Sequence, residues 1–335
     1  MTCSESSLTV LVAGGAGYIG SVAAASLLAA GHRVVVLDNL SHGSIGAVHP
    51  EARFVVGDIA NARAVREACR GGIDVAMHFA AYIEVGESVS DPANYYGNNV
   101  VGSIRFFKLL RACEVTRIVF SSTAAVYGEP ERLPLTEDAP LRPMNPYGRT
   151  KRMIEQVLAD YDRAYGFRSV SLRYFNAGGA LFSYGESHQP ESHLIPRIID
   201  AAIRGGTVNV YGDDYPTRDG SCIRDYIHVR DLADAHILAA RYLHDGGETD
   251  TFNLGTGRGF TVLEVINAVE RIAGRSIKRA VAPRRPGDPP SLVASPEKAR
   301  RVLGWGGGLA DLDEIVESAF AWRISHPGGY GDCHD

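Results

Sequence analysis

Residues 145–151, NPYGRTK, place a tyrosine four positions before a lysine. Asn145 is a favourable N-cap and Pro146 suits the first helical position, so a helix is predicted to begin here with Tyr147 in its first turn. Lys151 then lies on the same helix face, with the two Cβ atoms about 5–6 Å apart. A neighbouring cation favours the ionised form of a phenol, whose pKa is otherwise about 10. The spacing therefore predicts that Lys151 lowers the pKa of Tyr147 and makes it a general base.

A third candidate lies at the end of a predicted strand, where SST occupies 121–123. Open α/β sheets bind ligands at the carboxyl ends of their strands. Thr123 is therefore predicted to hydrogen-bond the same substrate hydroxyl that Tyr147 deprotonates. Thr123, Tyr147 and Lys151 are the predicted catalytic residues. Serine and threonine also form ordinary turns at strand ends, so this prediction depends on what surrounds the three side chains.

A glycine-rich turn, VLVAGGAGYIG at 10–20, joins the first predicted strand to the first predicted helix. Without Cβ atoms at Gly14, Gly17 and Gly20, the backbone can turn tightly and bring its amides close to a diphosphate. The helix N-terminus adds a favourable dipole for the anion. Asp38 ends the second strand about 20 residues later, where a carboxylate accepts from a ribose 2′-hydroxyl and repels a 2′-phosphate. The motif therefore predicts NAD rather than NADP.

Short β-rich runs alternate with helical stretches through the first half of the chain. This alternation predicts an α/β fold, a Rossmann-type doubly wound parallel sheet with helices on both faces. The predicted strands are 8–14, 33–39, 52–58, 74–81, 117–123, 168–176, 208–212 and 251–255. The predicted helices are 18–30, 61–70, 92–113, 146–165, 194–204 and 228–243.

The second half of the chain departs from this regular alternation of strands and helices. Residues 177–193 form a polar, glycine-rich segment whose length predicts a functional loop. Thr261 and Glu264 form a predicted capping box ahead of an apolar helical run. The Pro-rich residues 282–290 cannot form a helix, so their side chains serve either a turn or a ligand.

The length of 335 residues suffices for two packed lobes. Because strand-like segments return after the loop, the lobes are predicted to be interleaved in sequence. The larger, NAD-binding lobe is predicted to comprise residues 8–177 plus about 227–256. A smaller C-terminal α/β substrate lobe is predicted to comprise about 178–226 plus 257–335.

The composition excludes several classes of partner. A net charge of -5 provides no basic surface, so neither nucleic acid nor an anionic membrane is expected to bind. The five cysteines, Cys3, Cys69, Cys113, Cys222 and Cys333, are scattered and form no CxxC pair. This pattern argues against disulfides and against a metal site, and for a reducing compartment. The polar opening MTCSESS lacks an apolar export signal, so we expect a cytoplasmic protein that does not span a membrane.

Motifs such as GGAGYIG, NPYGRTK and APRRPGD (282–288) extend over nearly the whole chain. Together with the others given below they resemble the UDP-galactose (UDP-glucose) 4-epimerases, which belong to the extended short-chain dehydrogenase/reductases. The combination is far more specific than any single motif. The motifs are GGAGYIG, Asp38-Asn39-Leu40, GDI (57–59), HFAA (78–81), VGES (85–88), NNV (98–100), FSSTAAVYG (120–128), NPYGRTK, LRYFN (172–176), HLIP (193–196), DGSCIRDYIHV (219–229), NLG (253–255) and APRRPGD (282–288).

The resemblance implies interconversion of UDP-glucose and UDP-galactose with tightly held NAD. Tyr147 would take the proton of the sugar 4-hydroxyl while the C4 hydride passes to NAD⁺; the 4-ketose would then turn over and receive the hydride on its other face. It also implies a homodimer, formed through a helical face for which the pattern at 92–113 is suitable. The implied cofactor-binding residues are Gly14, Gly17, Tyr18, Ile19, Gly20, Asp38, Asn39, Asp58, Ile59, Phe79, Ala80, Ala81, Asn98, Lys151 and Phe175. The implied substrate-binding residues are Thr123, Tyr147, Asn176, His193, Leu194, Asn209, Tyr211, Arg224, Arg285, Asp288 and Leu292.

Three positions depart from the pattern of some members of this group. Ile83 stands where some carry a lysine near the cofactor, and His193 where some carry asparagine. A histidine can still donate to a phosphate, and a packing role is the alternative. Leu292 stands at a position where some members carry a bulky tyrosine and others a smaller residue. This position is associated with room for an N-acetyl group on the sugar. Leucine is intermediate in size, so UDP-GlcNAc/UDP-GalNAc and UDP-xylose/UDP-arabinose stay open as alternative substrates.

Two other functions use a similar scaffold. Nucleotide-sugar dehydratases need an acid and a base for elimination, and carry acidic residues just after the threonine, where this chain has Ala124 and Ala125. An NAD-binding regulator without catalysis is expected to have lost Tyr147 or Lys151, and both are present. The sequence therefore favours the epimerase.

Overall fold

The computed structural model of the chain describes residues 7–285 and 288–331. Cys3, Cys333 and most of the polar opening segment lie outside the described residues, as do residues 286–287 of the Pro-rich stretch. Within the described ranges Cys69, Cys113 and Cys222 are free thiols.

Fourteen strands lie within the described residues. They are β1 (Thr9–Ala13), β2 (Arg33–Asp38), β3 (Arg53–Val56), β4 (Val75–His78), β5 (Arg117–Thr123), β6 (Arg168–Tyr174), β7 (Asn176–Gly178), β8 (Thr207–Tyr211), β9 (Ile223–Arg224), β10 (Tyr226–His228), β11 (Asp250–Leu254), β12 (Phe260–Thr261), β13 (Lys278–Ala282) and β14 (Ser291–Leu292).

Eleven α-helices lie within the described residues. They are α1 (Tyr18–Ala29), α2 (Ala62–Ala68), α3 (Val85–Ser90), α4 (Pro92–Tyr95), α5 (Ser103–Ala112), α6 (Pro146–Tyr165), α7 (Leu194–Arg204), α8 (Val229–His244), α9 (Val262–Ala273), α10 (Glu297–Leu303) and α11 (Leu312–Ser325). A π-helical segment, Tyr96–Gly102, connects α4 to α5. None of the described helices combines the length and apolar character that crossing a bilayer requires.

Seven parallel strands form the central sheet, in the order β11-β6-β5-β4-β1-β2-β3. The strand order reverses direction between β1 and β4, which is the point where open α/β sheets bind ligands. Parallel strands are buried on both faces, and the runs of valine, leucine and alanine in β1 and β2 suit that environment. This is the Rossmann-type α/β sheet that the alternating pattern predicts.

Two apolar clusters cover the two faces of this sheet. On one face α1 and α8 contribute Leu27 and Leu232 to a core with Val10 and Val36. On the other face α5 and α6 contribute residues such as Phe106 and Leu158 to a second core. Because helices close each face, the described residues leave an open approach to the sheet along the ends of its strands.

A third apolar cluster stands apart from the sheet. It consists of side chains from α7, α9 and α11 together with β8, such as Ile198, Val265, Ile315 and Val208. β8 pairs in parallel with β13, outside the central sheet. The chain thus builds a second packed unit from its later residues, while β11 returns to the edge of the central sheet. The lobe boundaries given above stay a prediction.

Candidate active site

A cavity of about 1000 Å³ lies at the carboxyl ends of the central strands, facing the second packed unit. This volume reaches the upper end of the range for a pocket that holds one ligand, so there is room for a long or a second molecule. The ends of β1, β2, β4, β5 and β6 open into it. The chain that follows β6 and the segments around β8, β9 and β14 form the opposite wall.

The glycine turn forms the floor of one end of the cavity. Gly14 adopts φ +84°, a conformation that favours glycine, and a Cβ there would lie 2.5 Å from the backbone nitrogen of Ala80. A Cβ on Gly20 would overlap the carbonyl oxygen of Gly14. Both glycines are therefore required for the turn to pack. α1 begins at Tyr18, so its N-terminal amides and its dipole face this end of the cavity, where an anion would be stabilised.

Asp38 borders the same end of the cavity. Its carboxylate accepts hydrogen bonds from the backbone of Ala16 at 3.0 Å and of Leu40 at 2.8 Å. The side chain is nearly buried, and burial raises its pKa although the two amides lower it. The carboxylate therefore fixes the glycine turn as well as facing the cavity. Next to it, the amide nitrogen of Asn39 donates to Asp58 at 3.0 Å.

Tyr147 and Thr123 meet at the middle of the cavity. Asn145 caps α6 by accepting from the backbone of Gly148 at 2.8 Å, with Pro146 as the first helical residue, as the sequence predicts. Tyr147 is half-buried at the wall, and its phenol is hydrogen-bonded to the Thr123 side chain from the end of β5. The N-terminus of α6 and the carboxyl end of β5 thus place two hydroxyl groups next to each other.

In the protein without a coenzyme the pKa of Tyr147 lies above its ordinary value, and the predicted lowering by Lys151 together with a cationic nicotinamide stays a prediction. Burial raises the pKa of Tyr147 to about 12; the bond from Thr123 opposes this shift and the charge of Glu84 adds to it. Burial also lowers the pKa of Lys151 to about 7, although Glu155 opposes it. Lys151 lies behind the cavity wall, where Nζ donates to the Ser121 carbonyl at 2.8 Å and lies 5.9 Å from the Tyr147 ring centroid. Desolvation disfavours both charged forms, which sequence spacing does not reveal.

A buried ionic network lies behind the end of β5 and stabilises it. Arg173 of β6 and Glu155 of α6 form a two-pronged ion pair, with Nη2 to Oε2 at 2.7 Å and Nε to Oε1 at 3.0 Å. Glu155 also accepts from the Ser122 hydroxyl at 2.5 Å. Ser122 lies between Ser121, which accepts from Lys151, and Thr123, which contacts Tyr147. The network therefore fixes the end of β5 that carries both of these contacts.

The far end of the cavity carries arginine side chains. Arg224 pairs with Asp288, and its Nη1 donates to the Ile223 carbonyl at 2.7 Å. The guanidinium of Arg285 stacks over the Tyr211 ring at 3.9 Å. A stacked guanidinium keeps its N–H groups free in the plane, so it can bind phosphate oxygens.

The loop before α7 contributes a cluster that sequence reasoning did not identify residue by residue. Glu186 pairs with His188, while His193 Nδ1 lies 2.8 Å from Glu191 and 3.7 Å from Glu186. Burial lowers the pKa of both histidines, but the hydrogen-bonded carboxylates outweigh it. The pKa of His188 is therefore raised, and that of His193 is raised to about 9. The donor atoms of Glu186, His188 and His193 lie within 4.8 Å of one another. Each imidazole is already bonded to a carboxylate, so the arrangement is that of an ion-pair cluster.

All but one of the predicted site residues border the cavity, and the exception is Lys151. Bordering residues that sequence reasoning missed include Glu84, Glu186, His188, Ser192 and His42. The length of the 177–193 loop was the only local signal for some of them. The bordering predicted residues are Gly14, Gly17, Tyr18, Ile19, Gly20, Asp38, Asn39, Asp58, Ile59, Phe79, Ala80, Ala81, Asn98, Thr123, Tyr147, Phe175, Asn176, His193, Leu194, Asn209, Tyr211, Arg224, Arg285, Asp288 and Leu292.

Comparison with known proteins agrees with this geometry. The sequence profile of the NAD dependent epimerase/dehydratase family matches residues 10–255. The UDP-glucose 4-epimerase of Lacticaseibacillus casei is 48% identical over 329 residues, which cover 97% of this chain and 99% of that protein.

Solved structures extend the likeness to three dimensions. The UDP-glucose 4-epimerase from Brucella ovis in complex with NAD is 47% identical, with a TM-score of 0.91 and coverage of 96% of this chain and 99% of that one. The UDP-glucose 4-epimerase from Bifidobacterium longum in complex with NAD⁺ and UDP is 38% identical, with a TM-score of 0.91 and the same coverage of both chains. By its sequence over nearly its whole length and by its fold, the chain belongs to the NAD dependent epimerase/dehydratase family and, within it, to the UDP-glucose 4-epimerases.

Proposed function

We propose that this protein interconverts UDP-glucose and UDP-galactose as an NAD-dependent 4-epimerase. The observation that supports this most is the meeting of the Tyr147 phenol and the Thr123 hydroxyl in the middle of one continuous cavity. A glycine turn suited to a diphosphate lies at one end of that cavity, and two arginines lie at the other. A dinucleotide and a nucleotide sugar can thus meet with their reactive ends at these hydroxyl groups.

The residues at the glycine end fit NAD. The turn has no room for Cβ atoms at Gly14 and Gly20, and it leads directly into the N-terminus of α1 at Tyr18, where helix amides favour an anion. The Asp38 carboxylate, although it bonds two amides, borders the cavity where a ribose would lie. Bound NAD⁺ supplies a hydride acceptor for the sugar C4 and a positive charge that favours the phenolate form of Tyr147.

Tyr147 is proposed to hold and return one proton. Its oxygen accepts the proton of the sugar 4-hydroxyl as C4 is oxidised, and the same oxygen gives a proton back when the 4-ketose is reduced on its other face. Thr123 donates to or accepts from the 4-oxygen and keeps it next to the phenol. Burial lowers the pKa of Lys151 to about 7, so both its neutral and its charged form are populated near neutral pH. The charged form of Lys151 stabilises the phenolate of Tyr147.

The nucleotide is proposed to bind at the arginine end. Arg224 and Arg285 provide the guanidinium groups for the diphosphate, and Asp288 accepts from ribose hydroxyls. Since the diphosphate is anchored there, the sugar ring can turn about its bond to phosphate without leaving the cavity. That rotation is what exposes both faces of C4 to the same hydride.

The test is turnover without added coenzyme. Purified protein is incubated with UDP-glucose, UDP-GlcNAc and UDP-xylose separately, and products are resolved by chromatography or NMR. We expect UDP-galactose from UDP-glucose, and a loss of about 10³-fold in Tyr147→Phe, the size typical of removing a general base. Absence of UDP-galactose in the wild type would contradict the proposal, as would near-normal turnover by the Tyr147→Phe protein.

We propose in addition that the protein is a cytoplasmic homodimer. Val101, Ile104 and Met153 are exposed apolar residues on the adjacent helical segments around α5 and α6, which is the type of surface that a second copy covers. Cys69 and Cys113 are free although their thiols are close enough to hydrogen-bond, which suits a reducing compartment. Sedimentation of wild type and Ile104→Glu tests the dimer, and cell fractionation tests the location.

A further inference from the structure

A carboxylate that the proposed mechanism does not use borders the sugar end of the cavity. Glu84 is half-buried at the start of α3, and its side chain lines the cavity. Its Oε2 accepts from the Ser192 hydroxyl at 2.6 Å, across the cleft from the loop before α7. Glu84 therefore lies where the two sides of the cavity approach each other.

Two neighbours place Glu84 beside the reacting part of the sugar. Its charge acts on the phenol of Tyr147 on one side and on the imidazole of His193 on the other. Glu84 and both of these side chains border the same cavity, and the Ser192 bond places Glu84 next to the residue before His193. The carboxylate therefore acts on the part of the cavity where the sugar C4 is proposed to lie.

The charge of Glu84 is not matched by a cation. Two acids of the loop before α7, Glu186 and Glu191, are paired with His188 and His193. Among the described residues Glu84 has no ion pair within 4 Å, and its partner Ser192 is neutral.

We propose that Glu84 selects neutral sugars: its carboxylate accepts hydrogen bonds from sugar hydroxyl groups and repels a nucleotide sugar that carries a carboxylate at C5. This inference rests on the proposed function, because it concerns the sugar that turns over in the same cavity. During epimerisation the ring must present both faces, so its C5 substituent visits two sides of the pocket. A fixed charge on either side therefore meets a C5 carboxylate in at least one of the two orientations, and like charges at this range repel.

The test compares UDP-glucose with UDP-glucuronate in wild type, Glu84→Gln and two controls. We expect wild-type kcat/KM to be at least about 100-fold lower for the uronate, and Glu84→Gln to reduce that ratio by about tenfold. Glu87→Gln removes an equal charge on the same helix, where the carboxylate faces Tyr95 and does not border the cavity, and keeps the ratio. Ser192→Ala removes the hydrogen bond but not the charge, and keeps the ratio within about threefold.

A pH profile separates a charge effect from a structural one. The groups that face Tyr147 are Lys151 from its own helix, Thr123 from β5, Tyr174 from β6 and Glu84. Of these, Glu84 adds to the burial that raises the pKa of Tyr147. With UDP-glucose, Glu84→Gln should therefore shift the ascending limb of the rate profile to lower pH, whereas Ser192→Ala should leave it in place.

Three results would overturn this inference. The first is an unchanged glucose-to-glucuronate ratio in a Glu84→Gln protein that retains bound NAD and turns over UDP-glucose. The second is wild-type turnover of both substrates with similar kcat/KM. If Glu84→Gln fails to fold, calorimetric binding to the wild type decides, and equal affinity for the two nucleotide sugars is the third. Absence of UDP-glucose turnover in the wild type would instead contradict the proposed function, and the binding comparison would still test Glu84.

Discussion

The two walls of the cavity are built by different physical means. On the sheet side, a glycine turn that tolerates no Cβ at Gly14 and Gly20 borders the cavity, and buried histidines lie behind it. Burial lowers the pKa of His78 to about 3 and that of His236 to about 4. On the opposite wall His193 has its pKa raised to about 9, because carboxylates outweigh burial. The same residue type is thus kept neutral on one side and favoured in its charged form on the other.

This difference indicates which changes each wall tolerates. A rigid backbone wall is sensitive to added atoms, and a wall of paired side chains is sensitive to pH and to loss of a partner. A coenzyme that is retained through the cycle suits the first wall, and a sugar that must turn over suits the second.

The largest effect is expected from an added methyl group on the sheet wall. In Gly20→Ala the Cβ overlaps the Gly14 carbonyl oxygen, so we expect loss of bound NAD together with loss of folded protein. The matched control is Gly97→Ala, where an added Cβ has no atom within 4 Å among the described residues. Coenzyme content after desalting and the yield of folded protein are the measurements. Normal NAD content in Gly20→Ala would show that the wall is not rigid.

The second prediction concerns acid pH. His78 is neutral in the folded protein, whereas in the unfolded chain it binds a proton below pH about 6.5, so its contribution to stability is present above that pH and is lost as the pH falls toward 3. The loss amounts to about 4 kcal/mol at pH 3. Urea unfolding from pH 7 to pH 4 should show a steeper decline for wild type than for His78→Asn. Parallel declines would mean that burial does not keep His78 neutral.

The third prediction tests an exception on the sheet side, the buried pair of Arg173 and Glu155. Their side chains are 5% and 10% exposed, so Glu155→Gln leaves a buried guanidinium without its counter-charge. We expect a loss of about 3 kcal/mol in the free energy of unfolding. The control is Glu131→Gln, whose pair with Arg142 is exposed and worth less than about 0.5 kcal/mol. Equal effects of the two changes on urea unfolding would contradict the assignment.

The smallest effect is expected from His193, whose side chain is partly exposed. Because its folded pKa is raised to about 9, its stabilising contribution is present below the unfolded value near 6.5 and is lost as the pH rises through about 9. Thermal unfolding should show wild type more stable than His193→Asn at neutral pH, with the gap closing above pH 9. A gap that does not change with pH would assign His193 a packing role.

The sequence predicted the sheet and the N-terminus of α6 well, because both depend on local signals. Alternating apolar runs identified all seven central strands, and the predicted bounds of α6 and α7 match the structure. The capping box of Thr261 and Glu264 is confirmed. The predicted patterns did not include β7, β9, β10, β12, β13, β14, α3, α10 and α11, most of them short or without a strong period.

The family and its NAD-dependent epimerase chemistry were also predicted from the sequence, through the resemblance of motifs that extend over nearly the whole chain and include the glycine turn, Asp38 and the Tyr-Lys pair. The roles of the individual site residues stay predictions. Their positions along one cavity are what the predicted roles require, but position alone does not assign them.

The sequence by itself determined the order of strands and helices, the glycine turn and the helix start that carries Tyr147, because each depends on neighbouring residues. Only the tertiary structure decided the ionisation of the site. Burial raises the pKa of Tyr147 and lowers that of Lys151, and Glu84 meets Ser192 across 108 positions of the chain. Desolvation and long-range charge depend on which distant segments pack together, and residue spacing along one helix does not contain that information.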